Sequence, residues 1–219
     1  ISDKKLLSSF EKSVEAMREK GIIVEYVSFP KDLLEAIYPT YMVISCAEAT
    51  SNDANLDGIK FGPYRGGNSY QEVMFNARNQ GFSELIKRRF VIGSYCLMRE
   101  NQEELFLRAQ KVRAKIVKTT NDILKDCDFI YVPASPSFEK ASDRLSDEYL
   151  IADNHLALGN FAGLPSITLP LALEDGLPLG INFTGRAFEE EKLFTIASAF
   201  EKISGLASLS AISPKEGNL

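Results

Sequence analysis

Three consecutive cations, Lys87, Arg88 and Arg89, interrupt a segment that is otherwise largely apolar. Successive residues of a helix point about 100° apart, so the three cannot face solvent equally if their apolar neighbours pack, and we expect one arginine to turn toward the protein. A solvated face with one structural ion pair is one interpretation. The other is a guanidinium that binds a substrate carboxylate through two parallel hydrogen bonds.

Three further polar residues lie in apolar surroundings. Asp153 follows an apolar run, and a carboxylate there must pair or stay hydrated, because an isolated buried charge is costly. It could cap a helix or form an ion pair. Tyr41 lies in a similarly apolar segment, where a tyrosine is usually a core residue with a hydrogen-bonded hydroxyl. His155, the only histidine, lies near Asp153, but neighbouring positions of a helix do not face each other, which argues against a catalytic dyad.

The sequence gives no indication of a metal or nucleotide site. The three cysteines, Cys46, Cys96 and Cys127, are widely spaced, and a single histidine argues against a zinc site or a histidine-based triad. The glycines around Asp57-Gly58 do not follow a strand, as a phosphate-binding loop would require. The net charge of −5 gives no global attraction to nucleic acid, and we expect the basic residues at 108–118 on a solvated helix face.

Composition and termini limit the class of protein. With 219 residues and 45% hydrophobic composition, the chain can bury a substantial core. We find no apolar run of transmembrane length and no signal peptide, and the cysteines are typical of reduced thiols in a cytosolic protein, so we expect a cytoplasmic location. The chain begins at Ile1 rather than Met, and we interpret this as an internal position of a longer protein.

Hydrophobic periodicity and capping residues predict helices alternating with short strands, the pattern of an α/β fold. The predicted helices cover residues 2–20, 33–50, 69–79, 83–97, 103–125, 145–158 and 189–204. Strands are predicted at 22–29 and 128–133, and a long polar, Gly-rich loop at 52–68. We expect one domain over residues 1–206, with the middle helices forming a layer on one side of the sheet, and a tail at 207–219.

Two short apolar runs near the C-terminus, residues 166–171 and 179–184, are bounded by Gly or Pro. This pattern predicts two adjacent strands of a mainly buried, mixed sheet.

The same region carries the most specific motif of the chain. It reads Asn160-Phe-Ala-Gly-Leu-Pro-Ser-Ile-Thr-Leu-Pro170, followed by Gly176-Leu-Pro-Leu-Gly-Ile-Asn-Phe-Thr-Gly185. Upstream, in order, are S-C-A-E-A-T-S-N, D-G-I-K-F-G, K-R-R-F and A-Q-K-V-R. This ordered set resembles the amidase signature family, and within it the A subunits of tRNA-dependent amidotransferases. The resemblance extends from the first predicted helix to about Ser204.

The resemblance implies the C-terminal portion of the amidase-signature fold, a mixed sheet covered by helices. Enzymes of the family use a Lys and two Ser, one of them in a Gly/Ser-rich run, and no such run occurs here. The resemblance therefore implies no catalytic residue in this chain and an upstream nucleophile. It also implies glutamine binding by Tyr41, Arg89 and Asp153, with Arg89 (or, failing that, Arg88) holding the carboxylate and Asp153 the ammonium group. The family position that matches His155 is not His.

The resemblance further implies an assembly. The whole protein would hydrolyse glutamine and pass ammonia to the B subunit, where ATP and Mg²⁺ activate a misacylated Glu-tRNA(Gln) or Asp-tRNA(Asn). The B and C subunits and the tRNA would then be partners, while this chain itself would hold no cofactor and no metal.

Two other functions remain open on the sequence. One is an amidase-signature hydrolase that acts on a different amide. The other is a catalytically silent module that serves only in binding or assembly, which the missing nucleophile would also explain. A reading frame that extends upstream and encodes a Lys and a Gly/Ser-rich run would favour the enzyme.

Overall fold

The first helix forms where apolar residues recur at helical spacing. Helix α1 spans Lys4–Glu19 and buries Leu6, Phe10, Val14 and Met17 along one face. These four residues belong to the main hydrophobic core of the protein. The amphipathic pattern of the sequence therefore predicted both the helix and its buried face.

The computed structural model describes residues 4–135, 156–174 and 176–206. The helices that follow α1 in this part of the chain are α2 (Lys31–Asn52), α3 (Tyr70–Gly81), α4 (Glu84–Leu97), α5 (Arg108–Asp126), α6 (Ala157–Ala162) and α7 (Glu190–Ser204). A short 3₁₀ turn at Asp53–Asn55 follows α2, and a π-helical turn at Glu103–Leu107 leads into α5. The strands are β1 (Phe129–Pro133), β2 (Ser166–Glu174) and β3 (Leu177–Gly185). None of the described helices has the length and apolar character needed to cross a membrane.

The three strands form one sheet with β3 in the centre, in the order β1-β3-β2. Strand β3 pairs antiparallel with both neighbours, with Ile167 opposite Phe183 and Tyr131 opposite Phe183. A bulge between Pro170 and Ala172 interrupts the β2 ladder. The predicted adjacency of residues 166–171 and 179–184 and the α/β class are confirmed. The three described strands pair only antiparallel, whereas we had predicted a mixed sheet.

The chain divides into two compact units, one formed by Ile1–Leu34 with Ile116–Leu219 and the other by Glu35–Lys115. We call them the sheet unit and the helical unit. The prediction of one domain over residues 1–206 with a tail at 207–219 stays a prediction, and the tail lies outside the described residues.

In the sheet unit, α1 and α7 pack on β2 and enclose one apolar core. Aromatic rings form its centre: Phe10 stacks on Tyr131 with centroids 5.2 Å apart, and Phe183 contacts Phe200 at 5.3 Å. Such pairs stabilise a core beyond the area they bury.

In the helical unit, two serines fix the starts of consecutive helices. The Ser69 hydroxyl accepts a hydrogen bond from the Glu72 amide at 3.2 Å, while the Glu72 carboxylate accepts one from the Asn68 amide at 2.7 Å. The Ser83 hydroxyl accepts one from the Ile86 amide at 3.4 Å. These bonds satisfy amides that have no partner within the helix, as the sequence predicted for α3 and α4.

The predicted strand at residues 22–29 is wrong, since this segment pairs with no described strand. Ile23 is 87% exposed and Tyr26 67% exposed. The Arg18 guanidinium donates to the Val24 carbonyl at 2.9 Å, a side-chain contact in place of a β ladder. Most of the predicted helix at 145–158 lies outside the described residues.

Candidate functional site

Helix α4 carries the three consecutive cations, and its start is well anchored. Beyond the Ser83 cap, the Phe82 ring meets the Phe90 ring edge to face, with centroids 4.9 Å apart. This contact joins the residue before the Ser83 cap to the second turn of α4.

The three cations have different surroundings. Lys87 forms an ion pair with Glu84 at 2.9 Å and donates to the Asn79 amide oxygen at 3.2 Å. Arg88 is exposed. Arg89 is half-buried and has no ion pair with a carboxylate of residues 4–135, 156–174 or 176–206. Arg89 is thus the inward-facing arginine that the sequence predicted.

Cys46 of α2 is a group whose pKa responds to the positive charge of Arg89. Burial raises the pKa of the Cys46 thiol, and the positive charge of Arg89 acts in the opposite direction. The thiol is almost fully buried and, with its raised pKa, stays neutral at pH 7. A neutral thiol cannot compensate the charge of the guanidinium.

Below Arg89, helices α2 and α4 are in close contact. A Cβ at Gly93 would overlap both the Cys46 carbonyl oxygen and the Thr50 hydroxyl. The Thr50 hydroxyl donates to the Cys46 carbonyl at 2.8 Å and lies 3.4 Å from the Phe90 carbonyl oxygen. We call these four residues the α2–α4 seam. The sequence analysis missed Thr50 and Gly93, although a glycine inside an otherwise apolar helix is a signal of close packing.

Tyr41 lies on the same helix as Cys46, two residues after Pro39, and is 36% exposed. It lies five positions before Cys46, which corresponds to about 7.5 Å along the helix axis and to a different side of the helix. Tyr41 and Arg89 both belong to the helical unit, but no hydrogen bond joins their side chains in the described structure. Asp153 and His155 lie outside the described residues, so the binding of an ammonium group by Asp153 stays a prediction.

The signature motif forms the junction between α6 and the sheet. Gly163, which follows α6, has φ +66°, a left-handed conformation that favours glycine at the end of a helix. The Leu164 amide then bonds to the Gly159 carbonyl at 2.9 Å, and the Gly185 amide to the Pro165 carbonyl at 3.0 Å. The conformation of this motif is therefore set by its own backbone hydrogen bonds.

A row of polar side chains, buried on β3 and exposed at Thr168 of β2, crosses the two strands of the motif. The Asn182 side-chain amide donates to the Thr168 hydroxyl at 3.0 Å and accepts from the Thr184 hydroxyl at 3.0 Å. Asn182 and Thr184 are both buried. Each polar group of the row has a partner, so we assign the row to fold stability rather than to chemistry.

The described part of the chain does not form a metal-binding site. These residues contain no cluster of three or more His, Cys, Asp or Glu side chains that could hold a metal ion. Within the predicted loop at 52–68, the chain turns at Asp57-Gly58, where the Asp57 carboxylate accepts from the Ile59 and Lys60 amides at 2.8 and 3.1 Å. These bonds lower the pKa of Asp57. An open groove lined by Lys20, Phe194 and Lys202, among others, contains none of the predicted site residues.

Most of this chain is similar in sequence to one family of known proteins. A family model described as Amidase matches residues 2–194. The chain is 37% identical over 203 residues to the A subunit of the glutamyl-tRNA(Gln) amidotransferase of Fusobacterium nucleatum, covering 91% of this chain and 41% of that protein. It is 36% identical over 195 residues to the corresponding protein of Thermotoga maritima, covering 88% and 41%. The chain thus spans about two fifths of the length of these relatives.

Solved structures show the same fold. The crystal structure of the Thermotoga maritima protein aligns with a TM-score of 0.65 at 31% identity, covering 91% of this chain and 39% of that one. An allophanate hydrolase from Kluyveromyces lactis aligns with a TM-score of 0.67 at 19% identity, covering 93% and 30%, which is evidence for the fold alone. Fold, ordered motifs and family model agree, and the chain belongs to the amidase signature family.

Proposed function

We propose that this chain is part of the glutaminase subunit of a tRNA-dependent amidotransferase, and that Arg89 binds the α-carboxylate of glutamine. The observation that carries the proposal is the half-buried Arg89 guanidinium, which has no ion pair with a described carboxylate. Removing such a cation from water costs free energy that a bound anion offsets. An arginine binds a carboxylate especially well, because two N–H groups match its two oxygens.

Arg89 supports the proposal better than Arg88 does. Arg88 is exposed, where an ion pair contributes little, whereas Arg89 is partly withdrawn from water. In the proposed complex Asp153 binds the ammonium group of glutamine and Tyr41 contacts the same ligand. Together the three residues hold the side-chain amide in register for attack.

The chemistry is covalent and uses a serine outside this sequence. Its hydroxyl attacks the amide carbon, ammonia leaves, and water hydrolyses the acyl-enzyme to glutamate. Ammonia passes to the B subunit, where ATP and Mg²⁺ convert the side-chain carboxylate of the misacylated tRNA into an acyl phosphate that ammonia then attacks. Support comes from the relatives, each described as the A subunit of a glutamyl-tRNA(Gln) amidotransferase. This role supports a heterotrimer with the B and C subunits, and the free thiols are consistent with a location in the cytoplasm.

A different amidase-signature hydrolase is the second candidate. The fold does not separate the two, because the allophanate hydrolase and the amidotransferase protein align equally well. Sequence identity favours the amidotransferase, at 31% against 19% for these two structures.

The test is Arg89→Ala in the amidotransferase assembly, assayed with glutamine and with free ammonia as nitrogen donors. Losing one partner of a hydrogen-bonded charge pair costs roughly 2 to 5 kcal/mol. Glutamine-dependent activity should therefore fall about 30-fold or more. Ammonia bypasses glutamine binding, so the activity with ammonia should be unchanged.

Arg88→Ala is the matched control, since it removes an equal charge from an exposed position, and both activities should stay near wild type. An equal loss of both activities in Arg89→Ala would show that Arg89 only stabilises the fold. A selective loss in Arg88→Ala instead would transfer the role to its neighbour.

A further inference from the structure

Gly93 fixes how closely α4 approaches α2. A Cβ at this position would overlap two atoms of α2, the Cys46 carbonyl oxygen and the Thr50 hydroxyl. The first is a backbone atom and the second belongs to a side chain held by hydrogen bonds, so neither can move aside freely. Any larger residue at position 93 must therefore move one helix relative to the other.

Thr50 links the two helices at the same point. Its hydroxyl has a single hydrogen, which two carbonyl oxygens share: that of Cys46 in its own helix at 2.8 Å and that of Phe90 in α4 at 3.4 Å. Phe90 directly follows Arg89 in the chain. The polar link from α2 thus reaches the backbone of α4 one residue from Arg89.

Arg89 and Gly93 lie on the same face of α4. Residues four apart in a helix are neighbours on its surface, so Arg89 is one turn away from Gly93 along the line that faces α2. In agreement with this placement, the positive charge of Arg89 lowers the pKa of Cys46, the residue whose carbonyl a Cβ at Gly93 would overlap, against the larger effect of burial. The spacing of the two helices therefore determines where this guanidinium stands.

We propose that Gly93 and Thr50 are positioning residues for Arg89, acting by holding α4 against α2. The proposal rests on the proposed function, in which Arg89 binds the carboxylate of glutamine. A wider seam moves the Arg89 Cα away from α2 while α4 remains a helix. We expect a wider seam to weaken glutamine binding and to leave the steps after ammonia release unchanged.

The first test is Gly93→Ala in the amidotransferase assembly. A misplacement of about 1 Å can cost about 100-fold in rate, so kcat/KM for glutamine should fall at least about tenfold, chiefly through a higher KM. Activity with ammonia should stay within about twofold of wild type. Gly81→Ala is the matched control, because Gly81 belongs to the same unit and a Cβ there would meet open space.

Thr50 supplies a milder variant in case Gly93→Ala does not fold. Thr50→Val keeps the shape of the side chain and removes the hydroxyl, so the KM for glutamine should rise. Thr50→Ser restores the hydroxyl and should restore the KM, a rescue that would not follow from a role in packing alone. Thr195→Val is the control, since Thr195 makes the same kind of bond to its own helix, to the Glu191 carbonyl at 2.9 Å, on an exposed face.

The double variant Arg89→Ala with Gly93→Ala separates this inference from the proposed function. If Gly93 acts through Arg89, adding Gly93→Ala to Arg89→Ala causes no further loss with glutamine. Additive losses, or a wild-type KM for glutamine in Gly93→Ala, would overturn the positioning role while leaving the proposed function intact. An equal loss of both activities in Arg89→Ala alone would overturn the proposed function itself.

Discussion

The surroundings of Arg89 explain why a ligand would stabilise it. Arg89 is half-buried, and the buried Cys46 thiol, whose pKa the charge of Arg89 lowers against the effect of burial, stays neutral and cannot balance that charge. The neighbouring Lys87, by contrast, already has Glu84 as its partner. Of the cations on α4, Arg89 is the one whose electrostatic environment improves most when a carboxylate binds, since the pair would form partly away from water.

Tyr131, in the core of the sheet unit, has a raised pKa. The Ser13 hydroxyl donates to the Phe10 carbonyl at 2.6 Å, so its oxygen accepts from the Tyr131 hydroxyl, also at 2.6 Å. Burial raises the pKa of Tyr131 well above its usual range. The folded protein therefore keeps Tyr131 neutral at pH values where an unfolded chain ionises it.

We predict that Tyr131→Phe lowers the free energy of unfolding by about 1 kcal/mol at pH 7, because one buried hydrogen bond is lost. Wild-type Tyr131 ionises in the unfolded chain above about pH 10, so its contribution is complete below that pH and declines above it by about 1.4 kcal/mol per pH unit. Urea unfolding at pH 7, 10 and 11 should thus show the difference between variant and wild type shrinking and then reversing. Tyr26→Phe, at a residue that is 67% exposed, should show neither effect, and a constant difference for Tyr131→Phe would contradict the prediction.

Helices and strands differ in how far the sequence could predict them. The starts of α3 and α4 depend on a serine and on amides three residues later, which are local signals. The segment 22–29 has the same β-branched, aromatic character as β3, yet a strand also needs a partner, and residue types do not encode where that partner lies.

The candidate site shows the same limit. Helical periodicity indicated that one arginine of the pair would face inward, and only the family resemblance chose Arg89; a physical reason for that choice requires the packing around α4. The importance of Gly93 requires the path of the α2 backbone. Both depend on contacts between helices that are distant along the chain, which periodicity alone does not specify.

Hydrogen exchange should distinguish strand β3 from the unpaired apolar segment at residues 23–29. Strand β3 bonds to strands on both sides, and opening it requires a free energy near that of global unfolding. We predict that the amides of residues 179–184 exchange at least about 1,000-fold more slowly than those of residues 23–29 at pH 7. Exchange measured by mass spectrometry on the folded chain tests this. Comparable protection of residues 23–29 would show that this segment is paired after all.

The two units carry different parts of the proposed function. The helical unit carries Tyr41 and Arg89, which the proposal assigns to glutamine, while the sheet unit carries the signature motif. The net charge of −5 gives the chain no general attraction to tRNA, so in the proposed assembly tRNA binding needs a local basic patch or a partner subunit. Substrate recognition and nucleophilic attack would then reside in different stretches of sequence.

This division predicts that the purified 219-residue chain releases no ammonia from glutamine. No Gly/Ser-rich run occurs in the sequence, and the Ser13, Ser69 and Ser83 hydroxyls are engaged in structural hydrogen bonds. A serine without a general base is a poor nucleophile. Ammonia can be measured by a coupled assay, with circular dichroism to verify folding and the full-length Thermotoga maritima relative as the reference protein. Ammonia release by the folded chain that Arg89→Ala abolishes would place a nucleophile within these 219 residues and contradict the prediction.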